Sequence, residues 1–204
     1  MASHKGRAPR TNRRERAGTD VRGVPGATDH DGTVDPEARA RQICLRLLTL
    51  APRTRAQLAD ALHNRGVPDD AARAVLDRFA DVGLIDDAAF ARAWVESRHY
   101  SRGLAGRALR AELKQRGVDD DQIRDAIEDL GPDAEAATAR RLVEQKLAST
   151  RGLPSEARIR RLAGTLARKG YPAGLAFRVI REALEAEGAG VGDSCLDDLD
   201  TYTE

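Results

Sequence analysis

The sequence predicts an all-α protein built as three tandem three-helix repeats, and three observations lead there. A basic residue followed by glycine recurs as Arg65-Gly66, Arg116-Gly117 and Lys169-Gly170. Around each glycine the same apolar frame returns: Leu58, Leu109 and Leu162 eight residues before it, Leu62, Leu113 and Leu166 four before it, and Leu76, Ile127 and Ile180 ten after it. Finally, no stretch alternates apolar and polar residues between turn signals, so no sheet is expected. A period near 50 residues in which every unit carries helical spacing is the signature of a repeat array.

Taken in order, residues 1–36 hold seven basic and five acidic residues and no apolar periodicity. Such a segment buries too little apolar surface to offset chain entropy and is read as a disordered extension. The first repeat, 37–83, opens with a helix over about 37–50 that Ala51-Pro52 ends. Leu58 and Leu62 then form one helical stripe, and Arg65-Gly66 supplies a cationic last turn and a left-handed cap. Pro68-Asp69-Asp70 starts the third helix.

In the second repeat, 84–131, Gly83 closes the preceding helix, Leu84 and Ile85 plug the junction, and Asp86 or Asp87 caps a helix over about 87–100. That helix ends at Ser101 to Gly103, the next runs from Leu104 to Arg116, and Asp119-Asp120-Asp121 opens the last. The third repeat, 132–187, begins with a helix over about 133–149 ended by Arg151-Gly152, and Pro172 starts its final helix. Residues 188–204 carry five carboxylates and no basic residue, which reads as an acidic flexible tail.

Composition narrows the function. The 34 Lys and Arg balance 33 Asp and Glu, which excludes a uniformly basic nucleic-acid coat, although 37–187 alone is about +4. No apolar run reaches the roughly 20 residues of a bilayer span, and the basic N-terminus lacks the apolar core of a secretory signal, so a cytoplasmic protein without a membrane partner is expected. Cys44 and Cys195 are too few and too differently placed for a disulfide framework or zinc site. His63 has no second ligand at metal spacing. Phosphate-loop, nucleophile-elbow and zinc-protease motifs are absent, and capping explains the acidic pairs Asp69-Asp70 and Asp86-Asp87 without Mg²⁺. No enzyme activity, cofactor or metal is expected.

Three features of the surface stand out. On the helix from Leu104 to Arg116, Ala105, Leu109 and Leu113 gather on one side and Arg107, Arg110 and Lys114 on the other. That strip is either a contact for an acidic protein surface or DNA phosphate, or a solvated face in an Arg-rich chain with 30 Arg and 4 Lys. Arg102, Arg158, Arg161 and Arg168 extend the candidate contact set. Trp94 shares a helix face with Phe90 and is expected in the core, while His99 and Tyr100 stand at a junction that either contacts a partner or caps the helix.

The segment Gly83-Leu84-Ile85-Asp86-Asp87 followed by Phe90, Trp94 and Arg98, set between repeats of this kind, resembles the RecX family of bacterial recombination regulators. The resemblance covers residues 37–187. It implies an elongated, curved body that binds the RecA recombinase filament on single-stranded DNA and suppresses its ATP hydrolysis and strand exchange, in DNA repair, recombination and SOS control; a monomer is expected. It also implies weak binding to single- or double-stranded DNA. From the residues alone, a helix-turn-helix transcription factor and a general helical scaffold remain alternatives. Against the former stand the near-neutral charge, three non-identical units and the lack of an Asn/Gln/Arg cluster at a helix start.

Overall fold

In a computed structural model, which describes residues 35–188, the chain forms nine α-helices and no strand among the described residues. They are α1 (Pro36–Leu50), α2 (Arg55–His63) and α3 (Asp69–Asp81); α4 (Asp87–Arg102), α5 (Gly106–Lys114) and α6 (Asp120–Glu128); and α7 (Pro132–Leu147), α8 (Ser155–Arg168) and α9 (Ala173–Ala186). The expected disorder of the N-terminal extension and of the acidic tail falls on 1–34 and 189–204, outside the described residues. Asp35 and Pro36 are not extension: Asp35 accepts from the Glu37 and Ala38 amides, and Pro36 is the first helical residue of α1.

Each repeat has its own core. Leu58 and Leu62, Leu109 and Leu113, and Leu162 and Leu166 are all fully buried or nearly so, as the repeated stripe requires. They sit in three separate apolar clusters, one per repeat, with Ala105 of the second repeat lodged in the third cluster. Ile127 is only partly buried, against Gly106. Leu84, expected to plug the first junction, is 49% exposed, and Ile85 fills that role alone.

The repeats are joined by one device used twice. The turn before the glycine in each following repeat offers its carbonyl to the cap of the preceding middle helix: Thr54 Oγ1 donates to the Arg116 carbonyl at 2.6 Å, and the Ala105 amide to the Lys169 carbonyl at 2.9 Å. Beside each bond the glycine lies directly on that helix, Gly117 on Ala56 and Gly170 on Ala108. A carboxylate from the following repeat's first helix then covers the first orphan amide of the same middle helix. Asp87 Oδ1 accepts from Arg55 N at 2.9 Å, and Glu135 Oε1 from Gly106 N at 2.6 Å.

Asp86 and Asp87 thus divide the work that the sequence left open between them. Asp86 caps its own helix through the Ala89 amide at 2.7 Å, whereas Asp87 caps α2 of the repeat before. Burial pushes the Asp87 carboxyl up from its ordinary value, and the Arg55 amide hydrogen bond opposes that rise. Asp87→Ala, which strands the Arg55 amide, is expected to cost about 1–2 kcal/mol of unfolding free energy. Asp87→Asn keeps an acceptor without the desolvated charge and is expected to cost less; urea denaturation of both variants checks the order.

Among the described residues no helix precedes α1, and the turn of the first repeat is closed internally: Arg39 donates to the Arg65 carbonyl at 2.7 Å. At the other end, position 158 stands twelve residues before its glycine, as Thr54 and Ala105 do. There it carries an arginine, which closes onto its own repeat.

Candidate functional site

On α5 the amphipathic division is complete. Leu109 and Leu113 have no exposed surface, while Arg107, Arg110 and Lys114 face solvent. Lys114 Nζ lies 2.9 Å from Asp120 Oδ1, so its charge is partly matched within the repeat. Among the described residues no carboxylate is paired with Arg107 or Arg110, which leaves those two as the open cations of the strip.

A second cationic surface lies between the second and third repeats. The end of α4 meets α7 and the end of α8 in a cleft of about 750 Å³ whose walls include Tyr100, Arg102, Arg141, Gln145, Arg168 and Lys169, and no carboxylate among the described residues. The cleft is held rigidly. His99 is buried; its Nδ1 donates to the Leu104 carbonyl at 2.9 Å, and its Nε2 shares a 2.8 Å hydrogen bond with Thr138 Oγ1. Tyr171 donates its hydroxyl to the Gly103 carbonyl at 3.1 Å, and Lys169 Nζ bonds the Arg102 carbonyl. Burial, and next the nearby Glu135 charge, push the Tyr171 phenol up to about 12. His99 is therefore a structural tie, while its neighbour Tyr100 is 74% exposed.

Of the arginines proposed as contacts, Arg102 and Arg168 come together in this cleft and Arg161 is exposed on α8. Arg158 does not belong with them. It is only 6% exposed; its Nε donates to Thr150 Oγ1 at 3.3 Å and its guanidinium pairs with Glu187, which Arg151 also holds at 2.6 Å. A buried, doubly engaged guanidinium ties α8 to the end of α9 and is not available to a partner. The Arg158 hydrogen bond, followed by that of Arg151, holds the Glu187 carboxyl below its ordinary value of 4.5. A carboxyl lowered in the folded state adds stability that is complete above its unfolded value and is lost as the pH falls through the folded one. The thermal midpoint of the wild type should therefore exceed that of Glu187→Gln at neutral pH, with the difference closing once the pH drops below the lowered value.

Trp94 is a boundary residue, not a core one. Half-buried beside the second cluster, it stacks on Phe90 at 5.7 Å between centroids and lies between two guanidiniums, Arg98 at 4.0 Å and Arg116 at 3.7 Å, while its indole N–H donates to Glu112 at 2.9 Å. It also lines a mostly apolar groove of about 540 Å³ at the first junction, with Leu48, Pro52, Leu84 and Phe90. His63 is exposed, 3.8 Å from Asp69. Burial raises the Cys44 thiol, which keeps it protonated and inert.

Sequence reasoning missed Arg141 and assigned Lys169 only a helix-ending role. Arg141 is one exposed arginine among many on α7 and acquires meaning only from the α4 and α8 ends beside it. Among the described residues no helix is long and apolar enough to cross a membrane, and no group of three His, Cys, Asp or Glu side chains is arranged to hold a metal ion.

Comparison with known proteins bears on this architecture directly. Models of the first, second and third three-helix domains of RecX match residues 40–79, 86–127 and 133–180, in that order. The regulatory protein RecX of Thermobifida fusca (strain YX) is 61% identical over 180 residues, covering 87% of this chain and 95% of that one. The regulatory protein RecX of Streptomyces lividans is 60% identical over 76% of this chain and 82% of its own length. The crystal structure of RecX from Lactobacillus salivarius shares the fold, with a TM-score of 0.69 at 19% identity over 72% of this chain and 96% of that one. With three domain matches in order, each on one three-helix repeat, and relatives of this identity aligned along most of their length, the chain belongs to the RecX family.

Proposed function

We propose that this protein is a regulator of recombination that binds the RecA filament on single-stranded DNA and lowers its ATP hydrolysis and strand exchange, within DNA repair and SOS control. The observation that carries the reading is the ordered match of three RecX domains to residues 40–180, alongside relatives named as regulatory proteins. Three linked repeats expose a large surface for their mass, and such arrays serve as binding platforms more often than as catalysts. The open cations Arg107 and Arg110 are the contacts we assign to an acidic filament surface or to phosphate. The protein acts in this reading as a cytoplasmic monomer without a cofactor.

Co-sedimentation tests it. The full chain, mixed with cognate RecA filaments on single-stranded DNA at physiological salt, should pellet with them and stay in the supernatant with DNA alone under the same conditions. A folded chain that stays in solution beside pelleted filaments would remove the reading.

A further inference from the structure

We propose that the acidic segment 193–204 of this same chain seats in the cationic cleft between the second and third repeats, as an intramolecular occupant that any other anion must displace. The inference does not depend on RecA, and it uses a different surface from the α5 strip.

Cations without a local cause are the first argument. Arginines such as Arg41, Arg55, Arg124, Arg140, Arg151 and Arg160 each find a carboxylate. Arg102, Arg141 and Arg168 find none among the described residues, nor does any line the cleft they share. The joint between repeats does not call for them, because the molecule contains that joint twice. Counted from the paired caps, Thr54 with Ala105 and Asp87 with Glu135, Arg102 and Arg141 stand where the first junction has Ala51 and Ala93. Those alanines line the mostly apolar groove there, whose charged walls, Arg53 and Asp86, balance each other. The same frame thus carries unmatched guanidiniums only at the second junction, and their planar donors suit carboxylates.

The chain supplies the matching anion within reach. Residues 193–204 hold Asp193, Asp197, Asp198, Asp200 and Glu204 and no basic residue. Their point of departure is fixed, since Glu187 is bonded to Arg151 and Arg158, beside the first turn of α8, while Arg168 and Lys169 stand at the other end of that helix. A helix of 14 residues is about 20 Å long. Asp197 follows Gly188 by nine residues and reaches up to about 30 Å, so the carboxylates from Asp197 onward arrive with slack. A tether of this length gives an effective concentration on the order of millimolar, which a free anion has to outcompete. Apolar residues match as well. Leu196 and Leu199 flank the Asp197-Asp198 pair, and the cleft sets Leu104, Leu142 and the exposed ring of Tyr100 among its cations. The basic extension 1–36 is the weaker competitor for the segment, because five acidic residues of its own offset its seven basic ones.

A nitroxide on Cys195 reads the seat directly, since Cys195 lies inside the segment and Cys44 is fully buried. In the full chain at low salt a slow, contact-restricted component should dominate the spectrum, and about 0.5 M salt or excess polyglutamate should convert it to a fast one. Changing Arg102, Arg141 and Arg168 together to Gln should free the label without salt, with circular dichroism confirming the fold. Asp197, Asp198 and Asp200 changed together to Asn should free it too, and this variant leaves the repeats untouched should the first fail to fold. The slow fraction should be unchanged over roughly a hundredfold dilution, as an intramolecular contact requires. Three results would overturn the proposal: a fast spectrum at low salt, which leaves the cleft to anions from outside the chain; a slow spectrum that survives the arginine variant, which seats the segment elsewhere; or a slow fraction lost on dilution, which makes the occupant a second copy's segment. Because no filament is present, failure here and failure of co-sedimentation are separate outcomes.

Discussion

Gly170→Ala is expected to destabilise the protein by about 3 kcal/mol or more, and Gly117→Ala by a similar amount, whereas Gly66→Ala should cost only about 1–2 kcal/mol. All three glycines have positive φ, at 88°, 72° and 68°. Alanine strains the backbone comparably at each. What differs is the neighbour. A Cβ on Gly170 would stand 2.5 Å from the Ala108 amide nitrogen, and one on Gly117 would stand 2.3 Å from the Ala56 Cβ. Neither obstacle is a rotatable side chain, so the overlap is relieved only by pushing the repeats apart and loosening the carbonyl–cap bond beside it. A Cβ on Gly66 would meet nothing within 4 Å among the described residues, where no helix is packed on that turn. Urea unfolding of the three single variants measures the series. Equal losses at all three positions would mean that the glycines serve only their own turns and do not join repeats.

The second large effect separates the two faces of α5. Leu109→Ala removes a fully buried side chain from the second core and is expected to cost about 2–5 kcal/mol through the cavity it leaves. Arg107, Arg110 and Lys114 changed together to Glu should instead leave stability nearly intact, with a small loss at position 114, where Glu would face Asp120. The same triple variant should lose most of its filament binding, since three charges turn from attractive to repulsive at close range. Thermal melts and co-sedimentation, run on both variants, give the comparison. A folded triple variant that pellets like the wild type would make the strip a solvated face.

The repeat was legible in the sequence because each anchor does the same local job three times. Leu58, Leu109 and Leu162 must face a core wherever their helices lie, and a left-handed turn needs glycine in every copy. The strip on α5 was legible for the same reason, since one helix face is a matter of spacing alone. What spacing does not carry is which element arrives opposite. The junction acceptors are the main-chain carbonyls of Arg116 and Lys169, and a carbonyl has no signature in a sequence. Arg158 resembled any other surface arginine until Thr150 and Glu187 closed over it, although it stands in line with Thr54 and Ala105. Trp94 looked like core because Phe90 shares its face; the arginine that covers it from outside, Arg116, comes from α5's end and not from its own helix. The cleft, likewise, gathers residues that lie up to 69 positions apart, Tyr100 and Lys169 among them.

Action of the chain on RecA, as proposed, is read from the DNA-dependent ATPase rate of cognate RecA on single-stranded DNA, measured while the full chain is titrated in. The rate should fall at substoichiometric ratios, as expected if one chain of linked repeats spans more than one protomer of a filament, and the triple α5 variant should require a much higher ratio for the same effect. An unchanged rate at one chain per RecA protomer, with the chain folded, would contradict it.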